Sequence, residues 1–177
     1  GIFKYPGYAV SAGEIMLDGQ DITKMEVNDM AKLGFYFGMQ HIPEIEGIST
    51  LSFLYKAYKN LNPNALSVSE FKNKLIEDCK KFDLDTELLS RDLNVGFSGG
   101  QKKQADMMHI LALQPKYIFL DEPDSGVDKN AVEKVYAVIE HMRSLGSAVI
   151  LVSHSKEVER LKADKVYEVK ENICQIK

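Results

Sequence analysis

The sequence has little cysteine, little proline, no excess of basic charge and no long apolar run, and each shortage excludes something. Its two cysteines, Cys79 and Cys174, stand far apart, with no Cys-x-x-Cys and no histidine at metal-ligand spacing. That excludes a disulfide framework or a zinc site built on them and points to free thiols in a reducing compartment. No stretch of eighteen apolar residues occurs, and the first residues do not read as an export signal, so direct membrane insertion is not expected. Lysine and arginine number 22 against 26 acidic residues, a net charge of −4, which argues against nucleic acid as the main partner. Charge is well mixed, with no acidic or basic tail, internal repeat or low-complexity segment. A soluble cytoplasmic protein is expected.

What is present fits one domain, or one domain with a subdomain, in 177 residues. A chain of this size buries roughly 70% of its unfolded surface, enough for a true core. Residues 8–22 carry β-type side chains and two glycines, and predict an antiparallel hairpin turning at Gly19-Gln20-Asp21. A short helix is expected over 26–33, stopped by Gly34, and a strand over 35–40. With Pro43 and Gly47, 41–50 reads as a loop. The texture then becomes helical, at 51–60, 69–82 (with Ser69 as N-cap), 86–89 and 98–113. Strand and helix alternate again afterwards. Strands are expected at 116–121 and 147–153, with a helix between them at 129–143 whose apolar face is Val132, Val135, Tyr136, Ile139 and Met142. A short helix at 155–161 and an edge hairpin at 165–169 and 173–176 complete the pattern. Three parts follow: 1–40, a helical insert at 41–113, and a resumed α/β core at 114–177.

The most informative stretch is KYIFLDEPDSGVD, from Lys116 to Asp128. Four apolar or aromatic residues run into Asp121 and Glu122, as in a strand buried on both faces of a parallel sheet. Ligands of such sheets bind beyond the carboxyl ends of the strands, where these two carboxylates fall. Adjacent like charges there call for a cation or charged reactant opposite. A solvated strand end with ordinary acidic residues is the alternative. Ser98-Gly99-Gly100 opens a helix, where glycines let backbone N–H groups approach an anion and the helix dipole favours it; a plain cap is the other possibility. Ser153-His154 ends the second buried strand, on the same rim if the sheet is parallel, and Gln40 ends an earlier one.

In this order the four features resemble the ATP-binding-cassette (ABC) ATPases. Gln40 matches the Q-loop, Phe97–Gln101 (FSGGQ) the signature motif and Tyr117–Glu122 the Walker B strand with its glutamate. Ser125–Asp128 (SGVD) matches the D-loop and His154 the switch histidine. The phenylalanine at 97, DSGVD and MQHIPEIEGIST look most like the SufC-type ATPases of iron–sulfur cluster assembly. The resemblance implies a P-loop NTPase-like α/β cassette with a helical subdomain, using ATP and Mg²⁺. It assigns Asp121 and Gln40 to the metal, Gln40 also to the attacking water, Glu122 to general-base catalysis and His154 to the γ-phosphate. Ser98, Gly99, Gly100 and Gln101 would grip a nucleotide held by a second ATPase subunit, with Asp128 at that interface. A SufB–SufD-type scaffold is the implied partner, docked through about 40–58. One element is missing: no Gly-Lys pair occurs, so the lysine-bearing phosphate loop of the family has no match. The expectation is a cassette without its N-terminal part, inactive by itself. A transporter's ATP-binding subunit and a non-catalytic remnant acting in trans are the alternatives.

Overall fold

A computed structural model describes residues 12–39, 43–171 and 173–176. Strands β1 (Met16–Leu17) and β2 (Gln20–Asp21) form an antiparallel hairpin. Its turn is Asp18-Gly19 rather than Gly19-Gln20-Asp21, with both residues at positive φ (47° and 82°), the backbone that a two-residue hairpin turn requires. Helix α1 (Val27–Lys32) follows, then strand β3 (Phe35–Gly38).

Of the loop expected at 41–50, residues 43–44 carry no regular structure, 45–49 are instead strand β4 (Ile45–Ser49) running directly into helix α2 (Thr50–Leu61), and 41–42 lie outside the described residues. Helix α3 (Val68–Lys81) begins at Ser67, not at Ser69. The Ser67 hydroxyl accepts from the Glu70 amide while Glu70 reaches back to the Ser67 amide, a reciprocal pair that Ser69 has no equivalent acid to form. A 3₁₀ turn at Thr86–Ser90 leads to β5 (Asp92–Leu93), which pairs antiparallel with β4. Helix α4 (Gly99–Leu113), β6 (Tyr117–Asp121), α5 (Lys129–Ser144) and β7 (Ala148–Val152) alternate as expected. A 3₁₀ segment (Lys156–Leu161) and the hairpin of β8 (Tyr167–Lys170) with β9 (Ile173–Ile176) come last.

The three-stranded sheet has the order β3-β6-β7 and is parallel throughout. Tyr36 pairs with Ile118 and Gly38 with Leu120, while Asp121 lies beside Val152. Ile118 and Leu120 are buried with Met107, Ile110, Val135 and Met142 from α4 and α5 in one core. All five residues expected on the apolar face of α5 are buried, each worth about 1.5–3 kcal/mol for a large aliphatic side chain. The other sheet face departs from expectation. Phe37, Ile150 and Val152 are 42%, 56% and 50% exposed, so the described strands are covered on one side only. Phe35 stacks on Phe119 across this open face. Among the described residues no helix is long and apolar enough to cross a membrane.

Candidate functional site

The site is assembled where the carboxyl ends of β6 and β7 meet the amino ends of α4 and α5. Because β6 and β7 are parallel neighbours with Asp121 opposite Val152, the residues that follow each strand emerge on one rim. Glu122 takes a left-handed backbone (φ 47°), a conformation costing a non-glycine residue roughly 1–2 kcal/mol. Three hydrogen bonds hold it there, one of them from the Ser125 N–H to its carbonyl at 3.2 Å. The Glu122 N–H donates to the Val152 carbonyl at 2.9 Å, and its own carbonyl also accepts from Lys103 Nζ at 2.9 Å. The Glu122 carboxylate, with one fifth of its side chain exposed, meets His154 Nε2 at 3.2 Å, and the His154 side chain is 85% exposed. A histidine so open to solvent beside a sheltered carboxylate can exchange protons with, or bond to, a ligand arriving from outside.

The Ser98-Gly99-Gly100 turn lies alongside. Ser98 caps α4: its hydroxyl accepts from the Gln101 amide at 3.3 Å, and the Gln101 side chain accepts from the Ser98 amide at 3.0 Å. A Cβ at Gly99 would lie 3.5 Å from the Gly126 carbonyl oxygen, and one at Gly100 would lie 3.7 Å from Ala131 Cβ. The turn after Ser98 therefore packs on the turn before α5. Asp128 caps α5, accepting from the Ala131 amide at 2.9 Å. Ser98, Gln101 and Asp128 thus each do a local structural task that any helix start would ask of them. Gln40 lies outside the described residues.

Several residues unremarked in the sequence complete the arrangement. Lys103 and Asp106 are each 7% exposed beneath the rim. Burial pulls the Lys103 ammonium down, against the charges of Asp106, Asp124, Glu122 and Asp121. Burial raises the Asp106 carboxyl to about 6, against the hydrogen bond from Tyr36 and the charge of Lys103. Asp124 accepts from the Tyr136 hydroxyl at 2.5 Å and the Ser153 hydroxyl at 2.6 Å. It thereby ties α5 and the end of β7 to the turn that carries Glu122. A signal existed for Lys103: with Asp106, Met107 and Ile110 it falls at i, i+3, i+4 and i+7 on one helix stripe. A charge on such a stripe is buried against a partner or not buried at all.

The donors present fit a metal ion shared with a bound ligand better than a caged one. Among the described residues no group of three or more His, Cys, Asp or Glu is placed to hold a metal ion. Asp121 offers one carboxylate at the rim, and one or two carboxylates with substrate phosphates is how Mg²⁺ is commonly held at such sites.

Comparison with known proteins bears on the same residues. The sequence model of the family described as ABC transporter matches residues 5–125. Vegetative protein 296 of Bacillus subtilis (strain 168) is 36% identical over 155 residues, covering 86% of this chain and 59% of the relative. The probable ATP-dependent transporter ycf16 of Antithamnion sp. is 30% identical over 168 residues, covering 92% of this chain and 67% of the relative. The chain is therefore shorter than these relatives, spanning 59% of the Bacillus protein's length. In fold it is similar to the ATP-binding cassette MJ0796, solved as a dimer in a post-hydrolysis state with ADP and Pi. The TM-score is 0.79 at 20% identity, over 94% of this chain and 74% of that one.

Proposed function

The chain belongs to the ABC transporter family and has the fold of its ATP-binding cassettes, and from that premise we propose that it is a SufC-like ATPase cassette serving iron–sulfur cluster assembly. The observation that carries the proposal is the 3.2 Å approach of His154 to Glu122 on a rim adjoining the signature turn. In this proposal Glu122 orients and deprotonates the attacking water, and His154 bonds the terminal phosphate. Asp121, with Gln40, holds Mg²⁺. Ser98, Gly99, Gly100 and Gln101 meet a nucleotide carried by a second cassette, and Asp128 lies at the junction of the two. The family's fold in a dimeric neighbour bound to ADP and Pi supports the two-cassette arrangement.

In this proposal a SufB–SufD-type scaffold docks through about residues 40–58. The resemblance of MQHIPEIEGIST and FSGGQKK to SufC-type sequences supports this partner over a membrane permease. The transporter alternative draws on the name borne by the Antithamnion relative. Co-purification separates them: a soluble SufB–SufD-type scaffold retained by the chain supports the first, a membrane permease the second.

These 177 residues contain no Gly-Lys pair and so bring no phosphate-loop lysine of their own. The purified chain should show no measurable ATP turnover. Turnover that disappears in Glu122→Gln would contradict this.

A further inference from the structure

Strand β4, with Pro43 and Glu44 just before it, lies against the segment leading into the Ser98 turn. Its grip is polar and involves side chains far apart in sequence. Asn94, 1% exposed and at φ 63°, donates its amide to the Pro43 carbonyl at 2.9 Å. One oxygen of Glu44 accepts from Lys102 Nζ at 2.7 Å, and the other accepts from the Gly96 N–H at 3.4 Å. The Gly47 N–H donates to Asp92 at 2.9 Å, and Thr50 closes the strap on the Arg91 carbonyl. From the other side Arg91 donates to the carbonyls of Val95 and Gly96, both at 3.3 Å, with its guanidinium 4.5 Å over the Phe97 ring.

Glu44 is the joint in this network. A single carboxylate binds both the loop before Ser98 (through Gly96) and the first turn of α4 (through Lys102), so it sets the angle at which the Ser98 hydroxyl and the following amides are presented. Arg91 fixes the carbonyls of the same loop, leaving Gly96 one acceptor for its N–H among the contacts described, the carboxylate of Glu44. We propose that Glu44, supported by Arg91, is a positioning residue for the signature turn: it holds Ser98–Gln101 in the pose that meets the partner cassette's nucleotide. This rests on the proposed role of those residues in trans.

The test compares Glu44→Gln, Glu44→Ala and the charge exchange Glu44→Lys with Lys102→Glu in the 177-residue chain. One readout is amide hydrogen exchange over 95–101. A second is ATP-dependent association with the full-length Bacillus subtilis relative made hydrolysis-deficient. The unfolding midpoint is followed in each variant. Glu44→Ala should speed exchange over 95–101 about tenfold, as losing one ordinary hydrogen bond to a charged acceptor does. It should weaken association by a similar factor with the midpoint nearly unchanged. Glu44→Gln keeps an acceptor for Gly96 and should recover most of the protection. The charge exchange restores an ion pair but puts no acceptor opposite the Gly96 amide, so its midpoint should match the parent while its exchange stays fast. Unchanged exchange in Glu44→Ala overturns the proposal, and so does fast exchange with undiminished association. If the parent chain itself does not associate in the presence of ATP, the trans role of the signature turn fails, and this proposal with it.

Discussion

Asp124 accepts two hydroxyls in a site only 7% exposed, and removing it strands both. Asp124→Ala should cost about 2–4 kcal/mol of unfolding free energy in chemical denaturation, whereas Tyr136→Phe, which leaves the carboxylate its Ser153 partner, should cost about 1 kcal/mol. The double variant should cost less than the sum, because both changes act on one network. Full additivity would show that the two groups are not coupled. Asp106 gives a pH signature. Its folded value of about 6 stands above the ordinary 3.8, so it contributes stability below about pH 4 that is lost as pH rises through 6. The loss is about 3 kcal/mol, at 1.36 kcal/mol per pH unit. His109 acts in the opposite sense: its Nε2 is buried without a hydrogen-bond partner, and burial lowers the imidazole from 6.5 to about 4. Its contribution is present above pH 6.5 and lost as pH falls through 4. The two slopes oppose one another in the parent chain. Asp106→Asn should therefore unmask stability that climbs from pH 4 to 6, read by denaturant titration at each pH. The same pH dependence as the parent would refute the assignment.

Among the elements, β3 tolerates least at Gly38. A Cβ there would lie 2.6 Å from Leu120 Cδ2 and 2.8 Å from Asp106 Oδ2. Gly38→Ala should destabilise by about 1–3 kcal/mol, the usual cost of overpacking, and should cost less in a Leu120→Ala background than in the parent chain. An equal cost in both would place the strain elsewhere. The elements that were legible from sequence are those set by local pattern. The apolar spacing of 129–143 gave α5 and its buried face, and Tyr117 to Leu120 gave a strand whose parallel neighbour puts Glu122 near His154. The cap of α3, expected at Ser69, lies at Ser67, and the signal that decides between them was Glu70 three residues after the first serine. The pairing of β4 with β5 was not legible. Ile45–Ser49 is short and polar, with Gly47 at φ 79°, and meets β5 with an irregular register. What holds it, Asn94 and Gly96 on Pro43 and Glu44, joins residues about fifty positions apart. Nor did the run at 117–120 disclose which sheet face would be covered, because unbroken apolar character is compatible with either.

At the scale of the whole molecule, the face of β3-β6-β7 that the described residues leave open should dominate solution behaviour. Parallel strands are ordinarily covered on both sides. Here Phe37, Ile150 and Val152 remain 42–56% exposed. The folded chain should bind an environment-sensitive apolar dye. Phe37→Ser with Ile150→Thr should reduce that fluorescence at least severalfold while shifting the unfolding midpoint little, as surface changes do. Dye binding that survives both substitutions would mean that this face is not what the dye sees.

One feature of α4 bears on how any such cassette could move. Fifteen residues span about 22 Å, and at their far end only Gln114, Pro115 and Lys116 intervene before β6 runs back antiparallel beneath them. At the near end the ammonium of Lys103 bolts the rod to the tip of the strand, at the Glu122 carbonyl. A bar joined to its neighbour at both ends is a truss, and a truss pivots without changing shape. The Ser98 turn and the Glu122 tip travel together, so bending must be taken up outside this frame.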